Sequence, residues 1–392
     1  MLTQVKRFKL IGVLLCCLLI TGSSNHLGAI GFWHVLNAKA NVLQSYWKSP
    51  GYFSDHLEQL PNTSLAILAR SKISSAQYMY SLKLIKNSQS DTAKQFWLFA
   101  INDLTIPERK ILATKLLEHS RWSDLKLLAS KNKLPAGDVL NHLKLQLKTP
   151  QSKVSSEFIH ALGFSSLRNI SKPNKQCMFN VLTMSDHRRG LYKLTEFINA
   201  YNKQPEPREN IFCFSKPVYV AGMLECKSSI NQIAKCDWQS AKLNNQLPNN
   251  FDFIVMMPKD GTANVTKGTM LINSKAKYSV FLHELMHFNG FEDEYALPKA
   301  KQAWLCAKTG FVAPNLFISH DESPPIGWHK AKSCQIGGVA YKPSENWSIM
   351  QYQQLGLSAQ YREIWLKHLD MTNGNSYRHS SALTFANKAI LN

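Results

Sequence analysis

The cysteines divide this chain more sharply than any other residue type. Six of the eight (Cys177, Cys213, Cys226, Cys236, Cys306 and Cys334) lie in the later part, Cys16 and Cys17 sit in the leading segment, and none falls between residues 30 and 176. Cross-links can therefore constrain only the C-terminal part, so two domains of different character are expected. A length of 392 residues accommodates them at roughly 100–200 residues each. Six cysteines in an oxidising compartment can form up to three disulfides, and spacing does not choose among the pairings.

The leading segment sets the expected compartment. Lys6, Arg7 and Lys9 precede an apolar stretch from Leu10 to Ile20, and small residues follow at Thr21-Gly22-Ser23-Ser24. This is the pattern of a secretory signal peptide, expected over 1–29, with cleavage near Ser23 or Ser24 or after Ala29. A periplasmic or secreted protein is the consequence. Leu15, bulky where a small residue would precede a lipid-modified Cys16, argues against lipidation. No apolar run reaches the ~18 residues of a membrane-spanning helix, which excludes a multi-pass membrane protein. Hydrophobic residues at 44% and charged residues at 18% exclude a mainly disordered chain. The net charge of +20 is spread along the chain, with 19 basic and 8 acidic residues up to 150 and 27 and 18 beyond. Without a basic run, and with an export signal, nucleic acid is not the expected partner. An anionic envelope surface fits the charge better.

Residues 30–150 read as an all-helical domain. Apolar residues recur at helical spacing over 75–85, 92–101, 107–118 and 123–129, with start signals at Ser90-Asp91, at Thr105 before Pro107, and at Pro135-Ala136-Gly137. The spacing suggests helical hairpins stacked in solenoid fashion, without a clean repeat period. The aromatics Tyr46, Trp47, Tyr52, Phe53, Tyr78, Tyr80, Phe96 and Trp97 are expected in its core, and its partner is unknown. Pro150 and the small polar residues around it mark the boundary. Beyond, over 151–392, the pattern becomes α/β: strands at 177–184, 211–220, 251–257 and 268–273, and helices at 190–202 and 278–289.

The last of these helices carries the chemistry. His283 and His287 lie four apart, so both imidazoles project from one face and can bind one Zn2+. Glu284 follows the first ligand and can take a proton from water at the metal. Gly290 stands three residues past His287, where the helix must stop, and Asp293 three residues further. No close pair of cysteines suggests a structural zinc site instead.

The run His283-Glu284-x-x-His287-x-x-Gly290-x-x-Asp293 resembles the metzincin zinc-peptidase signature, with Asp in place of the usual third His. Ser348-Ile349-Met350-Gln351-Tyr352 resembles the methionine turn that floors the metal in those enzymes. Within the group, the ending Asp293-Glu294-Tyr295, with Gly261–Gly268 and Tyr341–Asn346, is similar to the bacterial IgA-peptidase family. The resemblance covers roughly residues 175–370 and leaves the helical domain aside. It implies one catalytic zinc held by His283, His287 and Asp293, with Glu284 as general base and Tyr352 assisting at the metal or the oxyanion. The interval from His287 to Asp293 is one residue shorter than is common in that family, so Glu294 and then Glu292 stand behind Asp293 as third ligand. The resemblance further implies that 268–273 is an edge strand to which substrate adds, and that the loop 297–342 forms the lower wall of the cleft. Cys306 and Cys334 both lie within that loop and are expected to pair and brace it. His320, Glu322 and His329 in that loop are expected to be solvated side chains.

The expected function is that of an exported zinc metallopeptidase acting on protein or peptide substrates. Two alternatives stand beside it: a zinc hydrolase of cell-wall peptide or amide bonds, and an envelope binding or adhesion protein whose peptidase domain is secondary.

Overall fold

The structure, a computed structural model, describes residues 27–38, 40–227, 229–237 and 251–372. The expected leader lies outside the described residues except for its last three positions. No helix among the described residues is long and apolar enough to cross a membrane. The chain divides into two compact units, one up to Leu143 and one from Lys144.

The first unit contains helices and, among its described residues, no strand. After a helical stretch over 27–36 come α1 (Val42–Lys48), α2 (Pro50–Asp55), α3 (Asn62–Arg70), α4 (Ser74–Lys86), α5 (Ser90–Ala100), α6 (Ile106–Glu118) and α7 (Trp122–Ser130). A further helix, α8 (Asp138–Gln146), runs across the division. Neighbours in sequence pack together, α3 on α4, α4 on α5 and α6 on α7. The start of α6 shows why it begins there: Thr105 and Glu108 form a reciprocal capping box with Pro107 in the first turn. Tyr46, Phe53, Tyr78 and Trp97 are buried as expected, but Trp47 is not: its side chain lies largely in solvent beside Tyr46.

One turn recurs in this unit. The helices α3, α4, α6 and α7 each end on a left-handed residue, Lys72, Ser88, Ser120 and Asn132, with φ of 63°, 61°, 54° and 56°. In each case the next amide reaches back five residues, Ile73 to Leu68, Gln89 to Leu84, Arg121 to Leu116 and Lys133 to Leu128. These are Schellman turns built without glycine, so the usual composition signal is missing.

The second unit is mixed α/β. Its strands begin with β1 (Ser165–Ser166), β2 (Phe179–Ser185), β3 (Phe212–Phe214), β4 (Val218–Tyr219), β5 (Glu225–Lys227), β6 (Lys235–Asp237), β7 (Phe253–Met257), β8 (Asn264–Thr266) and β9 (Thr269–Leu271). The main sheet runs β1-β4-β2-β7-β9-β8, with β3 also beside β2, and every pairing is parallel except β8 with β9. Helix α10 (Arg188–Lys203) makes the crossover from β2 to β3, as a parallel pair requires; α9 is the short Ser156–Ala161. Alternate residues of β2 and β7 enter two cores, Phe179, Val181, Phe253 and Val255 on one face and Leu182, Met184, Ile254 and Met256 on the other. Burial on both faces accounts for the unbroken apolar sequence of β7, while β2 also carries Asn180, Thr183 and Ser185, each of them hydrogen-bonded.

Two expectations change. The strand expected over 211–220 is broken into β3 and β4 along the same side of β2, because Pro217 has no amide to donate. Ser215 bridges the gap: its hydroxyl accepts from the Thr183 amide at 2.9 Å, and its carbonyl accepts from Thr183 Oγ1 at 3.0 Å. The strand expected as the edge, 268–273, is instead internal, since β9 pairs with β7 on one side and β8 on the other. Among the described residues, the last strand at this end of the sheet is β8, Asn264–Thr266.

The expected loop at 297–342 is also folded. It contains α12 (Lys299–Leu305) and an antiparallel sheet of β10 (Gly310–Ala313), β11 (Leu316–Ser319), β12 (His329–Lys330) and β13 (Val339–Lys342), in the order β10-β11-β13-β12. Cys306 is bonded to Cys334 within it, the pairing expected for this stretch. Cys177 is bonded to Cys213, and Cys226 to Cys236 across the β5–β6 hairpin. Helix α13 (Ala359–Thr372) then returns Tyr361, Trp365 and Leu369 to the main core.

The non-glycine turns give a stability test. Replacing Ser88 or Ser120 with glycine removes a left-handed strain of about 1–2 kcal/mol and adds some unfolded-state freedom. Each substitution should raise unfolding free energy by about 0.5–1 kcal/mol in urea titrations, with helix content unchanged. Destabilisation would show that the turns are not strained.

Candidate metal centre

Helix α11 (Tyr278–Phe288) buries Phe281, Leu282, Leu285, Met286 and Phe288 against the sheet and α13, and this packing fixes the faces of its polar residues. His283 is fully buried, Glu284 is 2% exposed, and His287 is partly buried. The helix stops at Asn289, whose Oδ1 accepts from Trp365 Nε1 at 2.8 Å. Gly290 then turns with φ of 76°, and the Phe291 amide reaches back to the Met286 carbonyl. That reversal returns Asp293 to the two histidines.

His283 Nδ1 lies 2.9 Å from the Ile349 carbonyl, and His287 Nδ1 lies 2.7 Å from the Phe291 carbonyl. A carbonyl can only accept, so both Nδ1 atoms carry the proton and both Nε2 atoms present lone pairs. Those Nε2 atoms are 3.1 Å apart, and Asp293 Oδ1 lies 3.3 Å from one and 3.2 Å from the other. The three atoms fall within 4.8 Å of one another. Asp293 Oδ1 and Glu284 Oε2 are buried without a hydrogen-bond partner among the described residues.

Two lone pairs and a carboxylate oxygen pointed together require a positive charge. Without a metal, a proton supplies it: burial disfavours charge on His287, but the Asp293 carboxylate overrides this and pushes its pKa up to about 9. Burial works against Asp293 ionisation too, yet the imidazoles hold its carboxyl well below the ordinary range. Burial raises the Glu284 carboxyl, against the pull of both histidines. Two imidazoles and one carboxylate with correctly set tautomers are also the donor set of a catalytic zinc site, and the unpartnered Oδ1 fits that role.

The other acids are placed elsewhere. Glu294 has no exposed surface: Ser348 Oγ donates to its Oε2 at 2.5 Å, Asn315 Nδ2 to its Oε1 at 2.9 Å, the Tyr361 hydroxyl also donates to Oε1, and Lys342 Nζ lies 3.8 Å away. Its amide donates to the Met350 carbonyl at 3.0 Å. Glu292 faces Lys301 at 2.5 Å. Met350 is fully buried in the main core, and the turn around it supplies the Ile349 carbonyl that orients His283. Tyr352 is 44% exposed, and its ring packs on Trp347 with centroids 4.5 Å apart. Among the remaining candidates, His320 reaches the Lys308 carbonyl, Glu322 pairs with Lys330, and His329 is exposed on β12.

Sequence reasoning gave Tyr295 no role, yet its phenol lies beside Asp293, which together with burial raises its pKa. Its position two residues after the candidate ligand was the available signal. No protein-family model matches the sequence, and no curated protein matches it.

The Glu294 contacts predict a structural role. Glu294→Ala should cost about 3 kcal/mol or more in urea unfolding, because it leaves buried donors on three segments unpaired, and Ser348→Ala about 1–3 kcal/mol. A loss below 0.5 kcal/mol for Glu294→Ala would contradict this.

Proposed function

We propose that the chain is an exported zinc-dependent endopeptidase with a metzincin-like domain similar to that of the bacterial IgA-peptidase family. The observation that carries this reading is the convergence of His283 Nε2, His287 Nε2 and Asp293 Oδ1 within 4.8 Å beside the buried, unpartnered Glu284 Oε2. His283, His287 and Asp293 would hold one Zn2+, which when bound supplies Lewis acidity and lowers the pKa of water to about 7.

The chain's own residues do the rest. Glu284 accepts the proton of the attacking water and returns it to the leaving amine. The Ile349 and Phe291 carbonyls keep the imidazoles in the ligating tautomer. Tyr352, two residues after Met350 and 44% exposed, is the side chain assigned to assist at the developing oxyanion, which requires its ring to leave Trp347. An extended peptide would add as a strand beside β8, which ends the sheet among the described residues. The leading basic and apolar segment and the three disulfides support export to the periplasm or beyond.

Digestion of casein and a peptide library tests this reading. The zinc-loaded wild type should cleave both, and Glu284→Gln should lose about 10²–10⁴-fold in kcat while keeping its metal. Equal cleavage by the two proteins would refute Glu284 as the base. Release of fragments only from purified cell-wall material would transfer the reading to the cell-wall hydrolase.

A further inference from the structure

A second site lies in the α/β unit, at the carboxyl ends of β1 and β4. Ser166 ends β1 with 2% of its surface exposed, and its hydroxyl is buried without a hydrogen-bond partner among the described residues. A buried hydroxyl left unpaired costs stability, and a ligand group that accepts its proton would relieve that cost. Ser166 lines a pocket of about 330 Å³ shared with Gln151, Ser152, Ser156, Arg168 and the Ala221–Gly222 backbone. None of the lining residues is acidic. The Arg168 guanidinium forms no ion pair among the described residues, and the side chains of Gln151, Ser152 and Ser156 make no hydrogen bond there either.

The walls are held in place. The Gln151 amide donates to the Ala221 carbonyl at 2.9 Å, and a side chain at Gly222, where φ is 74°, would come within 2.6 Å of Pro150 Cβ. Glycine therefore permits the close approach that shapes the pocket. In open sheets with parallel strands, ligands bind outside the carboxyl ends of the strands, where β1 and β4 deliver Ser166 and Ala221.

We propose that this pocket binds a small oxyanion, the carboxylate or phosphate group of a ligand, with Arg168 as its charge partner and the Ser166 hydroxyl as its buried donor. A guanidinium suits two oxygens of one planar or tetrahedral group, and the hydroxyls supply further donors. The volume suits a fragment of amino-acid or single-phosphate size. The site shares no residue with His283, His287 or Asp293, and it stands whether or not the chain is a peptidase.

Calorimetric titration of the full chain, stripped of metal with EDTA and then dialysed into metal-free buffer without it, tests the proposal and distinguishes the sources. One arm uses inorganic phosphate, the second an acetylated dipeptide with a free carboxylate, and the third the same dipeptide as its amide. The expected result is one saturable site for phosphate or the free carboxylate and none for the amide. Arg168→Gln should weaken it by about tenfold or more, and Ser166→Ala by about fivefold, without lowering Tm. No saturable binding of either oxyanion would overturn the proposal, as would amide binding equal to that of the acid. Weakening by Arg168→Gln alone would reduce the effect to surface charge and overturn it equally.

Discussion

The buried carboxylate of Glu294 joins parts of the chain that are far apart in sequence. It takes hydrogen bonds from Asn315 before β11, Ser348 in the methionine-containing turn and Tyr361 on α13, with Lys342 at the end of β13 close by. A carboxylate removed from water must be satisfied on every side, so these segments cannot shift independently. The metal-type geometry depends on that constraint, because the turn fixed through Ser348 presents the Ile349 carbonyl to His283. Burial raises the Glu294 carboxyl, and its hydrogen bonds resist that rise.

At the histidines the logic reverses. There the chain leaves polar atoms facing one another instead of pairing them, with both Nε2 atoms and Asp293 Oδ1 turned inward. One neighbouring acid, Glu294, is fully engaged in structure, while Asp293, adjacent in sequence, has an unpartnered buried oxygen. The contrast separates an acid that holds the fold from one available to a cation.

What could be read in the sequence follows how local each determinant is. The His283, Glu284 and His287 arrangement depends on one helix, and its four-residue spacing is visible in the chain itself. The third position was open among Asp293, Glu294 and Glu292, because all three are carboxylates within three residues. Their directions are set by Asn315, Ser348, Tyr361 and Lys301, and no local pattern connects those residues to the site. The helices of the first unit were legible from apolar spacing, whereas their recurring turns carried Lys, Ser and Asn where glycine would signal them. The short strands are the least legible: β8 has three residues and β10 and β11 four each, too few for alternation to show. The edge at 268–273 and the loop at 297–342 rest on the resemblance alone, and no local pattern stands there to correct them.

The proposed function stands on a zinc centre formed by His283, His287 and Asp293. The most direct measurement is the metal content of the purified chain by mass spectrometry after dialysis against zinc, beside His287→Ala and Asp293→Ala, with X-ray absorption on the wild type. The account predicts one zinc per chain in a nitrogen and oxygen shell at about 2.0–2.2 Å, and strongly reduced content in both variants. Zinc absent from the wild type, or retained equally by both variants, would contradict it.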